Sequence, residues 1–120
     1  MEKIQSFHQL VTWQNGHTLV LAIYELTKTF PKDEQYVLTP QIRRCAISIT
    51  SNIAEGFSRW SVKEKTQFYF IALGSLTELE NQLIISRDLG YINKQQFEDI
   101  DKDVIVVQKL LNALITSIRK

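Results

Sequence analysis

The chain has 120 residues, 44% hydrophobic and 22% charged, with a formal net charge of +1. That length suits one domain burying roughly two-thirds of its extended surface, and the composition excludes a disordered tail. A charge so near zero excludes a global field that would drive the protein onto nucleic acid or anionic lipid, so any such partner needs a local patch. The lone cysteine, Cys45, excludes an internal disulfide and a cysteine-rich metal site. The apolar run Leu19 to Tyr24 is too short for a signal peptide, and no stretch approaches the ~20 apolar residues that span a bilayer. The expected location is therefore cytoplasmic, with no membrane contact.

Apolar residues recur at helical spacing throughout, which predicts four helices at about 8–29, 40–57, 62–89 and 94–118 in one domain, 1–120. Pro31 breaks the first. Thr39-Pro40 suggests an N-cap followed by proline at the first helical position, and Gly56 suits a C-terminal cap. Ser61 and Glu64 have capping-box spacing, as do Asn93 and Gln96, and Gly90 ends the third helix. Short connections favour antiparallel neighbours, so the expected fold class is all-α, an antiparallel up-and-down four-helix bundle.

Core stripes follow from the period. Helix 2 offers Ile42, Cys45, Ala46, Ile49 and Ile53. Helix 3 offers Phe68, Ala72, Ser75, Leu76, Leu79 and Leu83. Helix 4 offers Phe97, Ile100, Val104, Val107, Leu111, Leu114 and Ile118. The small residues Ala72, Gly74 and Ser75 are expected to admit a neighbouring helix closely, which would offset the roughly 1 kcal/mol that a mid-helix glycine costs. Leu19 to Tyr24 and Val104 to Val107 carry more apolar side chains than one buried face needs, and Ile47 and Ala54 lie behind the helix 2 stripe. Surplus of this kind predicts self-association.

The sequence carries no catalytic constellation. His8 and His17 lie about 180° apart on a helix and cannot share a metal. No glutamate has a histidine three residues on, as a di-metal bundle requires. Cys45 falls in the apolar stripe, which predicts a core thiol in preference to a nucleophile. Neither a nucleophile elbow nor a phosphate-cradling glycine loop occurs. No enzyme activity, metal or cofactor is expected. Asn52 and Glu55 are expected to play a structural role, tying helix 2 to its neighbour or to the following loop.

Positive charge gathers in the middle of the chain. Residues 40–66 carry Arg43, Arg44, Arg59, Lys63 and Lys65 against Glu55 and Glu64, a net +3, while the flanking segments are each −1. Around the helix 2–helix 3 turn, Arg59, Lys63 and Lys65 mix with Phe57 and Trp60, a combination that contacts phosphates and stacks on bases. The candidate nucleic-acid-binding residues are Arg43, Arg44, Arg59, Trp60, Lys63 and Lys65.

One pattern runs along nearly the whole chain: Phe7, Leu10, Trp13, Ile23-Tyr24, Phe30-Pro31, Gln41-Ile42-Arg43-Arg44, Ser48-Ile49, Asn52-Ile53-Ala54-Glu55-Gly56 and Ile71-Ala72-x-Gly74-Ser75-x-x-Glu78-Leu79. It resembles the 23S rRNA intervening-sequence proteins. The resemblance implies an up-and-down bundle assembled as a homopentamer. It also implies kinship with the accessory variability determinant of diversity-generating retroelements, which binds nucleic acid and a reverse transcriptase. It supplies no catalytic residues, and at +1 this chain is much less basic than that accessory protein. Gly16 stands where the resemblance implies alanine, a difference expected to matter little. The expected partners are a second copy of the chain, RNA or DNA, or a protein encoded nearby. The functional expectations are an oligomeric scaffold that binds RNA or a nucleoprotein, a protein-interaction module without nucleic-acid affinity and, last, small-molecule binding in the bundle core or along an oligomer axis, against which the aliphatic stripes argue.

Overall fold

The computed structural model describes residues 3–120. It contains α1 (Val11–Thr27), α2 (Leu38–Ser58), α3 (Val62–Asp88) and α4 (Lys94–Ile118), with no strand among the described residues. The helices pack in a square in which α1 touches α2 and α4, and α3 touches the same two. Gly16 lies against Thr50 and Ile53 while Thr27 meets Arg43, so α1 and α2 run in opposite directions. Gly56 opposes Tyr69 while Cys45 opposes Ser75, which makes α2 and α3 antiparallel. Arg87 lies over Phe97, and Glu80 meets Asp101 lower down, so α4 returns antiparallel to α3. The bundle measures 45 × 25 × 19 Å.

Helix ends differ from the sequence expectation in three places. First, α1 starts at Val11, because Ser6 and Gln9 form a capping box around a separate 3-10 turn, Phe7–Gln9, and Leu10 is extended. That turn brings Phe7 within 5.2 Å of the Trp13 ring, and His17 stacks on Trp13 at 4.9 Å. Second, α2 starts at Leu38, so Pro40 occupies the third helical position, where its missing N–H is still one of the four that lack an intrahelical partner. Thr39 is not the cap. Glu34 serves instead, its carboxylate accepting from the Leu38 N–H at 3.4 Å, and Tyr91 Oη donates to the other Glu34 oxygen at 2.7 Å.

Third, Gly56 is no C-cap. It lies inside α2, buried, where a Cβ would stand 2.6 Å from Tyr69 Cε1 and 3.1 Å from Phe68 Cβ. Its purpose is close approach of α3. Gly90 does cap α3: φ is +82°, the Tyr91 N–H reaches Ser86 O at 2.9 Å, and the Gly90 N–H reaches Arg87 O at 3.0 Å. Ser61 accepts from the Glu64 N–H at 3.1 Å, one half of the expected box, whereas Asn93 and Gln96 complete theirs. Gly74 reverses expectation. It faces solvent, and nothing lies within 4 Å of where its Cβ would be, so no packing within the chain offsets its helical cost. Gly16 is buried, and a Cβ there would meet the Thr50 methyl at 3.0 Å, a contact that a few tenths of an ångström of side-chain movement would relieve.

The apolar stripes of α2, α3 and α4 meet in the core, with Tyr69 buried in place of the expected Phe68 and Ile115 in place of Leu114, while Phe68, Phe97, Leu114 and Ile118 are half-buried at its edge. Ile42, Ala46, Ile49, Ile53, Ala72, Leu79, Leu83 and Leu111 have no exposed surface, and Leu19 and Ile23 join them from α1. Cys45 lies in this core. Its Sγ donates to Ser75 O at 3.0 Å, and burial, with Glu78 adding to it, pushes the thiol pKa up to about 12. Such a thiol stays protonated and unreactive. Between α3 and α4, the hydrogen bond to Asp101, then burial, then the Asp101 charge hold the Glu80 carboxyl above its ordinary value. The surplus apolar side chains remain outside: Leu21 is 58% exposed and Ile47 40%, with Ile105 and Val106 also exposed. Phe70, Ile71 and Ile85 on α3 add to them. Total accessible surface is 7536 Å², against about 6,700 Å² for a folded monomer of this mass.

Candidate nucleic-acid interface

The α2–α3 turn stands at one end of the bundle, and local chemistry decides which of its side chains face outward. Lys65 points inward: Nζ donates to Phe57 O at 2.7 Å and Gly56 O at 3.4 Å, lies 5.3 Å from the Phe57 ring, and has its pKa lowered by burial. This cation satisfies carbonyls at the end of α2, where the helix dipole favours it. Arg59 pairs with Glu55 at 3.0 Å and lies 4.7 Å over the Phe68 ring. Lys63 is exposed without an ion-pair partner among the described residues, and Trp60 is 99% exposed. An indole that projects into water from a turn buries nothing within its own chain.

Arg43 and Arg44 lie elsewhere. Arg44 and Arg59 are 15 residues apart on and just beyond α2, which at 1.5 Å per residue is about 22 Å along the axis. The six candidate residues therefore form two groups. Arg43 is half-buried, donating from Nε to Thr27 Oγ1 at 2.8 Å with its guanidinium 4.7 Å over the Tyr24 ring. Arg44 is exposed beside it and borders the α1–α2 groove with Arg43 and Ile47. Asn52 donates from Nδ2 to Ser48 O at 2.8 Å, and Ser48 Oγ meets Ser75 Oγ at 2.9 Å, so a polar ladder links α2 to α3. Glu55 reaches forward to Arg59 in the turn.

The topology adds residues that linear charge counting did not group. Antiparallel packing carries the end of α4, with Arg119 and Lys120, and the chain before α1, with Lys3, to the same end as the α2–α3 turn. Among the described residues, the acidic side chains at that end are Glu55 and Glu64. Toward the opposite end, the α1–α4 seam gathers Glu25, Asp99 and Asp103 around an apolar floor. Lys3, Arg119 and Lys120 lie outside the 40–66 segment, so only the fold unites them with it.

The model of the 23S rRNA-intervening sequence protein family matches residues 8–113. The chain belongs to that family. Among solved structures, it is similar to a protein of unknown function from the S23 ribosomal protein family of Bacteroides thetaiotaomicron, at 28% identity and a TM-score of 0.81. That similarity covers 88% of this chain and 98% of the other. Curated proteins gave no match. Among the described residues of this family member, no three His, Cys, Asp or Glu side chains gather closely enough to hold a metal ion, and no helix is long and apolar enough to cross a membrane.

Proposed function

We propose that this protein is a non-enzymatic, self-associating scaffold that binds RNA through the end of the bundle bearing the α2–α3 turn. The observation that carries the reading is Trp60, fully exposed at that turn and flanked by Arg59 and Lys63, with Arg119 and Lys120 at the same end. An indole offered to water beside cations is a stacking platform with an electrostatic approach, which suits an unpaired base and its phosphates. The family name also ties this chain's relatives to 23S rRNA. Self-association is supported by exposed Leu21, Ile47, Ile71 and Val106 and by a surface larger than a monomer of this mass needs. Repetition of the basic end around an assembly, a pentamer by family resemblance, would turn weak single contacts into useful avidity.

Anisotropy titrations with a fluorescent stem-loop RNA at low and moderate salt test the binding. Trp60→Ala weakens it about tenfold, since loss of one stacked base costs roughly 1–3 kcal/mol. Lys63→Glu weakens it further and flattens the salt dependence. No binding at low salt, or binding indifferent to both changes, refutes the RNA reading and leaves a protein-interaction module.

A further inference from the structure

We infer that copies of this chain join head-to-tail, with the exposed Ile47 of one copy, set between Arg43 and Arg44, seated in the acid-rimmed groove between α1 and α4 of the next. The inference rests on the self-association reading and assigns its contact. The groove encloses about 470 Å³, floored by Ala22, Leu26 and Ile100 and rimmed by Glu25, Asp99 and Asp103. It is an apolar slot with three carboxylates around it, and Asp99 and Asp103 have no ion-pair partner among the described residues. Glu25 pairs with Lys28 at 2.9 Å, and Gln95 donates to Asp99 at 2.8 Å.

The adjacent face presents the complement. Ile47 is 40% exposed, and Arg43 and Arg44 precede it by four and three residues on α2, so the two guanidiniums flank it one turn away. Arg43 is already held by Thr27 and the Tyr24 ring, so it has little freedom left to lose on association. No carboxylate of the chain pairs with either arginine among the described residues. An aliphatic knob between two cations thus matches an aliphatic floor between carboxylates, in both shape class and sign.

Position supports the match. The groove is lined by Ala22, Glu25 and Leu26 of α1 and by Thr29 just beyond it, and the Arg43–Arg44 face by Tyr24, so both lie at the same height on the two faces that share α1. Adjacent faces of a square bundle are about 90° apart. A head-to-tail contact between faces set about 90° apart closes on itself after about four copies, so it builds a ring and no filament. The α1 corner, with exposed Leu21, then faces the ring interior.

A charge swap followed by sedimentation velocity tests the contact on the full chain. Arg44→Glu alone, and Asp99→Lys with Asp103→Lys alone, each weaken assembly at least about tenfold by placing like charges together. Combining all three changes in one chain restores the sign match and the assembly. Circular dichroism of each variant confirms retained helix content. Assembly indifferent to all these variants, or broken instead by Ile71→Glu on α3, overturns this contact while self-association stands. Dissociation that the combined variant does not reverse also overturns it. A wild-type protein sedimenting as a 14.0 kDa monomer removes the self-association reading itself.

Discussion

The α2–α3 seam and the α1–α4 seam belong to the same bundle but are finished differently. Along the first, Gly56 yields its side-chain volume to Tyr69, Ala72 and Ser75 keep the helices close, and the Asn52–Ser48–Ser75 ladder and the Cys45 thiol satisfy polar groups between them. Along the second, an apolar slot ringed by carboxylates stays open. A seam closed by glycine, small residues and buried hydrogen bonds is suited to holding the fold. One left open, with unpaired charge at its rim, is suited to receiving something from outside. The difference teaches that opposite sides of the square suit different tasks, one holding the fold and the other, on the proposal above, receiving a second copy.

The sharpest way to break this comparison is to add one carbon to the closed seam. Gly56→Ala forces a methyl to within 2.6 Å of a buried tyrosine ring that has no room to retreat, and is expected to cost about 1–3 kcal/mol in urea unfolding. An unchanged midpoint would show that the seam is looser than its geometry. The same substitution at Gly74 has the opposite sign. There, open space surrounds the added methyl, so Gly74→Ala stabilises α3 by about 0.5–1 kcal/mol. Destabilisation at Gly74 would mean that another chain already occupies its surface.

The smallest effect is a pH dependence at the α3–α4 seam. The Glu80 carboxyl is held above its ordinary value of 4.5 by its hydrogen bond to Asp101, by burial and by the Asp101 charge. The folded state therefore binds this proton more tightly than the unfolded state. Its contribution to stability is fully present below pH 4.5 and is lost as pH rises through the raised value. Thermal unfolding across that range should show the loss, and Glu80→Gln should flatten it. A profile steeper in the variant than in the wild type would contradict the carboxyl pairing.

Much of this was legible in the residues. Apolar spacing specified all four helices and most of the core of α2, α3 and α4, because a bundle buries one face per helix and the period reveals which. It named Phe68 where Tyr69 is buried and Leu114 where Ile115 is, and in the all-round apolar run of α1 it could not single out Leu19 and Ile23. Gly90, Asn93 and Gln96 marked their turn by local chemistry alone. Gly56 and Gly74 were misread for a shared reason: a glycine's role depends on what stands opposite it, and that is a property of the neighbouring helix. Thr39-Pro40 misled because Glu34, five residues ahead of Thr39, supplies the cap by folding back from the loop. In the candidate site, the positive segment 40–66 was visible as composition. Its division into two groups about 22 Å apart required the helix axis, and the inward turn of Lys65 required the end of α2. The acidic groove had no sequence signature, since Glu25 and Asp103 are brought together only by the packing of α1 on α4.

Light scattering of the wild-type chain at low micromolar concentration and moderate salt tests the central claim most directly. Each subunit weighs 14.0 kDa. The expected result is one species at about four times that mass, the ring that head-to-tail contact between faces about 90° apart closes, or about five times by family resemblance. A single species at 14.0 kDa would contradict it.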